Sequence, residues 1–348
     1  MQLKVSFKND YSEGAIPEIL TLLANSNAQQ EPGYGEDSLS SQAKDFIRQH
    51  IKLPDAPIYF VSGGTQANLL VISHLLRPYE SVIAADTSHI QVHETGAIEN
   101  VGHKINLVKN KDGKIDVAGI KQVIQAHTDH HMVKPALVYL SQTTEIGSIY
   151  SKSELIEIAA YCRSNHLLLF IDGARLAVSL SAKGSDLTLA EIASLCDVFY
   201  IGATKNGGFL GEAIVFTNPS LAKGFSYYLK QKGALMAKGR ILGAQFYALF
   251  EHNLFSTYAA NANHQAACIA DEIKKLGHQF LSEPVSNQIF PILPISIINS
   301  LLEEFDFFIW ENINEDFAVV RIVTSWATTS ADVNRFLFLL KESRLNLI

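Results

Sequence analysis

Seven short runs of apolar, β-branched and aromatic residues recur along the chain, at 57–61, 81–85, 105–108, 136–141, 167–171, 198–201 and 213–216. Each is too short for a helix and lacks a polar face, which is the pattern of a strand covered on both sides. Between several of them lie stretches with helical spacing, at 66–76, 152–164 and 187–195. Strand–helix alternation of this kind predicts an α/β fold with a mostly parallel sheet sandwiched by helices.

Residues 229–276 are rich in Ala, Leu, Gln and Lys and contain no proline, so long helices are expected there. A strand- and turn-like stretch follows (SEPVSNQIFPILP), then a helix at 295–305, strands at 307–310 and 318–322, and a terminal helix at 330–343. This tail reads as a small α+β domain. The division expected is a large α/β domain over 13–250 and a small domain over 251–348, with segment 1–12 able to pack on the site. At 348 residues and 47% hydrophobic content, two cores can be filled.

Charge narrows the partners. The formal net charge is −7 and no lysine- or arginine-rich tract occurs, so nucleic acid and anionic membranes lack a positive face to bind. Cys162, Cys196 and Cys268 are scattered without a C-x-x-C pair, a poor disulfide framework and a poor zinc site. The opening MQLKVSFKND has charged residues and no apolar run of leader length, and no stretch of spanning length is free of charges or breakers. A cytoplasmic protein is expected, with no metal.

Three strand ends carry candidate chemistry. The first reads Ser62-Gly63-Gly64-Thr65-Gln66-Ala67-Asn68 before an apolar helix. Glycines there let backbone N–H groups approach an anion at a helix N-terminus, with Thr65 adding a hydroxyl. A plain tight turn explains the same residues equally well. The fifth strand ends in Asp172-Gly173-Ala174-Arg175, where open α/β sheets place ligands; a capping Asp beside an ion-paired Arg is the plainer alternative. The sixth ends in Gly202-Ala203-Thr204-Lys205-Asn206-Gly207-Gly208. A lysine desolvated among small residues has a free amine able to form an imine; an exposed loop lysine is the alternative. Taken together, an anion cup, a strand-end Asp and a strand-end Lys on one sheet edge make a site for pyridoxal 5′-phosphate.

These motifs, with Tyr34-Gly35-Glu36-Asp37, Ser88-His89 with Glu94, Gly211-Glu212-Ala213, and Arg321-Ile322-Val323-Thr324-Ser325-Trp326, resemble the threonine aldolases of the aspartate-aminotransferase-like fold, type I. The resemblance implies a lyase that cleaves a β-hydroxy-α-amino acid to glycine and an aldehyde. It implies Lys205 as the cofactor's imine partner, with Gly63, Gly64 and Thr65 at the phosphate. Asp172 would face the pyridine nitrogen and His89 the ring. Arg175 would lie beside the cofactor or the substrate carboxylate, and Arg321 would clamp that carboxylate. Homodimers or homotetramers with shared sites are implied, to which Tyr34, Lys238 and Arg240 could contribute. One departure stands out: Gln142-Thr143-Thr144-Glu145 replaces a Glu-Asn-Thr-His stretch, making Glu145 a second candidate base. His93 stands where an aromatic or acidic residue is expected and reads as a packed histidine. Other outcomes at the same cofactor, β-elimination or transamination, and a non-catalytic cofactor-binding role remain open at this level.

Overall fold

All seven apolar runs become strands of one sheet in the computed structural model, which describes residues 4–345: β1 (Ile58–Val61), β2 (Glu80–Ala85), β3 (Ile105–Val108), β4 (Lys134–Ser141), β5 (Leu168–Asp172), β6 (Val198–Gly202) and β7 (Glu212–Phe216). Their spatial order is β1-β7-β6-β5-β4-β2-β3. The pairs from β6 to β3 are parallel, and β7 alone runs antiparallel to both its neighbours. The period of two divides each strand between two cores. Leu137 and Tyr139 join Phe170, Val198 and Ile214 on one face, while Val138 and Leu140 join Leu169, Ile171 and Phe199 on the other. Burying each such side chain is worth roughly 1.5–3 kcal/mol, which is why the inner strands carry apolar residues on both faces.

Helices cover both faces, among them α1 (Ser38–Ile51), α2 (Gly64–Leu75) and α3 (Lys152–Ser164). Local chemistry sets their starts: Asp37 caps α1 by accepting the Ser40 N–H, and Ser151 with Glu154 closes a reciprocal capping box on α3. Two further helices, α4 (Arg240–Glu251) and α5 (Leu254–Lys275), follow the sheet. The small sheet is built from β8 (Ile292–Pro294), β9 (Phe308–Asn312) and β10 (Phe317–Val323), with β10 central and antiparallel to both and to Gln288–Ile289. Its core gathers Phe7, Ile269, Ile273, Ile297, Val320 and Phe336.

Three details differ from the sequence reading. The expected helix at 295–305 stops at Leu301, because Phe305 is spent on a two-residue parallel pairing with Val5–Ser6 and on ring contacts with Phe7 and Phe336. The region 229–276 is not continuously helical: residues 233–239 form a connection before α4, and Asn253 at φ 56° separates α4 from α5. Two helices before residue 57, Pro17–Ser26 and α1, were not expected at all.

Candidate active site

The C-terminal ends of the parallel strands deliver side chains to one cavity of about 320 Å³. It is lined by the β1–α2 turn (Ser62–Thr65), His89, Ser141 to Glu145 after β4, Asp172 to Arg175 after β5, Thr204 and Lys205 after β6, and Glu212 at the start of β7. Tyr11, from the N-terminal segment, closes one side.

The β1–α2 turn is shaped for an anion. Gly63 is the N-cap of the twelve-residue α2 and its side offers no capping hydrogen bond, so the first-turn N–H groups remain to be satisfied. A Cβ on Gly64 would sit 3.0 Å from the Tyr200 hydroxyl, so the backbone itself forms this wall of the cavity. Thr65 is exposed at its rim.

Asp172 ends β5, buried at 5% exposure. Its Oδ2 accepts from the Tyr139 hydroxyl at 2.5 Å and from Asn68 Nδ2 at 3.2 Å, and its Oδ1 accepts the Ala174 N–H at 3.0 Å. Burial alone would raise its pKa, but the nearby His89 and hydrogen bonds from Tyr139, Tyr200 and the Ala174 backbone hold the carboxyl below its ordinary value. It therefore stays ionised. Asn68 passes the network on, donating to Glu94 Oε1 at 2.7 Å, and the same oxygen lies 2.8 Å from His89 Nδ1. With Nδ1–H given to Glu94, His89 keeps Nε2 for chemistry. The next residue after Asp172 is glycine for a steric reason: a Cβ on Gly173 would stand 1.8 Å from the Tyr200 carbonyl oxygen.

Lys205 is partly buried, and among the described residues Nζ has no hydrogen-bond or ion-pair partner, only the Tyr11 ring with its centroid 5.9 Å away. Burial and the Arg175 charge lower its pKa against the opposing fields of Asp10, Asp172 and Glu212. The loop around it is fixed: Asn206 Nδ2 donates to Phe255 O, Gly208 N–H to Ala203 O, and Ile16 N–H to Gly207 O.

Glu145 lies in the same cavity. Its Oε1 accepts the Ser141 hydroxyl at 2.6 Å and the His89 backbone N–H at 2.9 Å, and burial raises its pKa. Arg175 is gripped by Asp10 through Nε at 2.6 Å and Nη2 at 2.9 Å, both side chains buried. Arg321 does not line the cavity but lies close enough for its charge to act on Arg175 and His93. It donates to Gln288 Oε1 at 2.7 Å and to Lys8 O; among the described residues its buried Nε has no partner and no carboxylate lies in reach of an ion pair. Burial, reinforced by the Arg175 charge, lowers it to about 10, so it remains a cation at neutral pH.

Besides Arg321, three candidates are not brought to the cavity within one chain. Tyr34 is exposed, with its ring beneath Lys230 Nζ at 4.6 Å. Lys238 is exposed on the connection before α4. Arg240 donates to the carbonyl oxygens of Ser26 and Gln29, at the end of the first helix. His93 is exposed, its ring 5.6 Å from that of His89. Residues that sequence reasoning passed over include Asp10, Tyr11, Tyr139 and Tyr200. Tyr139 and Tyr200 carried a signal, since a hydroxyl inside an otherwise apolar buried strand requires a partner. Asp10 carried none, being 165 positions from Arg175.

Comparison with known proteins agrees with this geometry. A model of the β-eliminating lyase family matches residues 12–294. The low-specificity L-threonine aldolase of Pseudomonas aeruginosa is 33% identical over 97% of this chain and 97% of its own. That of a further Pseudomonas species is 36% identical over 82% of this chain and 83% of its own. Among solved structures, a threonine aldolase from Leishmania major superposes with a TM-score of 0.96 at 46% identity, covering 97% of this chain and 99% of that one. Aspartate aminotransferase from Thermus thermophilus, at 14% identity and TM-score 0.72, shares the fold.

Proposed function

The chain belongs to the β-eliminating lyase family, among its threonine aldolases, and on that premise we propose that it splits β-hydroxy-α-amino acids such as threonine or allo-threonine into glycine and an aldehyde, using pyridoxal 5′-phosphate. One observation carries the reading: a half-buried Lys205 amine, without a partner among the described residues, shares a cavity with an Asp172 carboxylate held ionised on the adjacent strand end.

The residues fit that cofactor. Lys205 has the free amine for its aldehyde, Asp172 the anion for its pyridinium, and the Gly63–Gly64–Thr65 turn at the start of α2 the N–H groups for its phosphate. When bound, the cofactor supplies the electron sink that takes the pair left as Cα–Cβ breaks. The rest falls to the protein. Arg321, lacking an internal carboxylate, is available to hold that of the substrate. Arg175, already neutralised by Asp10, is the weaker candidate and better suited to a neutral or partly charged oxygen beside the cofactor. His89, oriented by Glu94, offers Nε2 to take the β-hydroxyl proton, directly or through water. Glu145 is the second acid–base group, and it also fixes the His89 backbone.

The proposal extends to a cytoplasmic homodimer or homotetramer in which Tyr34, Lys238 and Arg240 meet a neighbour's site. Lys238 is the freest of the three, since Arg240 would first have to release two carbonyls. The three thiols are unpaired, and among the described residues no helix is long and apolar enough to cross a membrane. The test is aldehyde release from threonine, allo-threonine and phenylserine by the purified protein. Release instead of a 2-oxo acid with ammonia, or of a 3-hydroxy-2-oxo acid without it, and no aldehyde, would move the assignment to β-elimination or transamination.

A further inference from the structure

Glu212 has no role in the scheme above, yet it is 3% exposed and lines the cavity. It opens β7, the one reversed strand, and its Cα pairs with Gly202 at the end of β6, three residues before Lys205. Three acids have fields that reach Lys205: Asp10, Asp172 and Glu212. Two of them are fully engaged. Asp10 gives both oxygens to Arg175, with Asn287 on Oδ2, and Asp172 gives both to Tyr139, Asn68 and the Ala174 N–H. Glu212 gives only Oε1, to the Thr204 hydroxyl at 3.2 Å, and that hydroxyl in turn accepts the Gly211 N–H at 3.0 Å. Its Oε2 is buried without a partner.

We propose that Glu212 is the proton acceptor that frees the Lys205 amine: one proton passes from the ε-ammonium to the unpartnered carboxylate oxygen, directly or through one water, leaving a neutral amine and a neutral acid. The amine then condenses with the cofactor aldehyde and water leaves, with no change of oxidation state. When an incoming substrate amine displaces Lys205, the same proton can return. The inference rests on Lys205 being the cofactor's partner, as proposed above. Burial favours this neutral pair, because two opposite charges out of water cost more than a shared proton unless further hydrogen bonds hold them, and Nζ has none. The other titrating groups facing Glu212 are Asp172 and Tyr200: the Asp172 charge pushes Glu212 further toward its protonated form, and the Tyr200 hydroxyl, itself raised by burial, stays neutral. Thr204, hydrogen-bonded on both sides, keeps the carboxylate beside the lysine loop and makes Glu212 a positioning and proton-holding group acting through Lys205.

The test follows the rate at which the full-length, cofactor-free chain combines with pyridoxal 5′-phosphate, read by absorbance across pH. Glu212→Gln should react at least ten-fold more slowly near neutral pH, since solvent must now remove the proton, even though loss of the Glu212 charge by itself favours the free amine. Glu212→Asp, an acid one methylene shorter, should recover part of the rate. A Gln variant with the wild-type rate overturns the proposal; if that variant does not fold, an Asp variant unchanged at every pH does so. A wild-type chain that never attaches the cofactor at Lys205, as judged by borohydride reduction and peptide mapping, overturns the Lys205 reading itself and is thereby distinguished from failure of the Glu212 step alone.

Discussion

His89 and Glu145 are both within reach of the same proton, and their surroundings separate them. His89 Nδ1 is tied to a buried carboxylate, which leaves Nε2 uncommitted, whereas Glu145 has Oε1 committed to Ser141 and to the His89 backbone. His89→Asn should therefore lower kcat by roughly a hundred-fold or more, the usual worth of acid–base catalysis, and change the cofactor absorbance; Glu145→Gln should cost distinctly less. Side-by-side pH–rate profiles decide the order. Burial raises the Glu145 pKa, so loss of the limb reporting the base in Glu145→Gln, with that limb intact in His89→Asn, would reverse it. Arg321 is tested more simply. Its guanidinium, with no ion pair among the described residues, offers a planar fork that lysine cannot copy, so Arg321→Lys should weaken kcat/KM by about ten- to a thousand-fold, on the scale of a charge-assisted pair. Unchanged steady-state kinetics in that variant would remove Arg321 from the substrate site.

Between strands, the site depends on backbones approaching more closely than side chains allow. Gly173 follows Asp172 on β5, and its carbonyl accepts N–H groups from Leu176 and Gly202 while its α-carbon faces the Tyr200 carbonyl. A methyl at 1.8 Å from that oxygen cannot be accommodated by a side-chain rotation, so Gly173→Ala should cost about 3 kcal/mol or more, measured as a shift of the urea midpoint at constant slope. A midpoint within error of the parent would show that β5 and β6 can part without penalty. Such elements also explain what could be read beforehand. The strands were legible because both faces are buried, which writes continuous apolar runs, and the strand-end Asp172 and Lys205 stand out because polar residues abruptly follow those runs. Arg321 was found only through its flanking motif. The short pairing of Val5–Ser6 with Phe305–Asp306 was not legible, since two residues carry no periodicity and the register is set by ring packing on Phe7. Asp10 was hidden for the same kind of reason: its partner is chosen by the tertiary path of the chain and not by local spacing.

That path gives the N-terminal segment a role for the whole molecule. Val5–Ser6 pairs with Phe305–Asp306, Phe7 enters the core beneath the small sheet, and the Phe7 carbonyl accepts the Val323 N–H at the end of β10. Three residues later Asp10 grips Arg175 beside the cavity, and Asn287 of the small domain donates to the same carboxylate at 2.9 Å. Asp10 thus joins the small domain to the end of β5 through buried charge. Burial alone would raise its pKa, but Arg175, Lys205 and the hydrogen bonds outweigh that and hold it below 3.8. A carboxyl depressed on folding contributes stability that is fully present above its unfolded value and is lost as pH falls through its folded one. The contribution should therefore be constant from neutral pH down to about 4 and should fade only in stronger acid. Asp10→Asn removes the charge, turns an N–H toward the guanidinium, and leaves Arg175 buried without its counter-ion, a loss of about 3–5 kcal/mol at neutral pH. Urea midpoints of the two proteins, taken from neutral pH downward, should differ by a fixed amount and converge in acid. Removing the anion should also lower the pH at which Lys205 combines with pyridoxal 5′-phosphate, because Asp10 is one of the fields that keep its ammonium form. Equal midpoints at neutral pH together with an unshifted Lys205 profile would mean that this ion pair neither ties the two parts of the molecule together nor tunes the lysine.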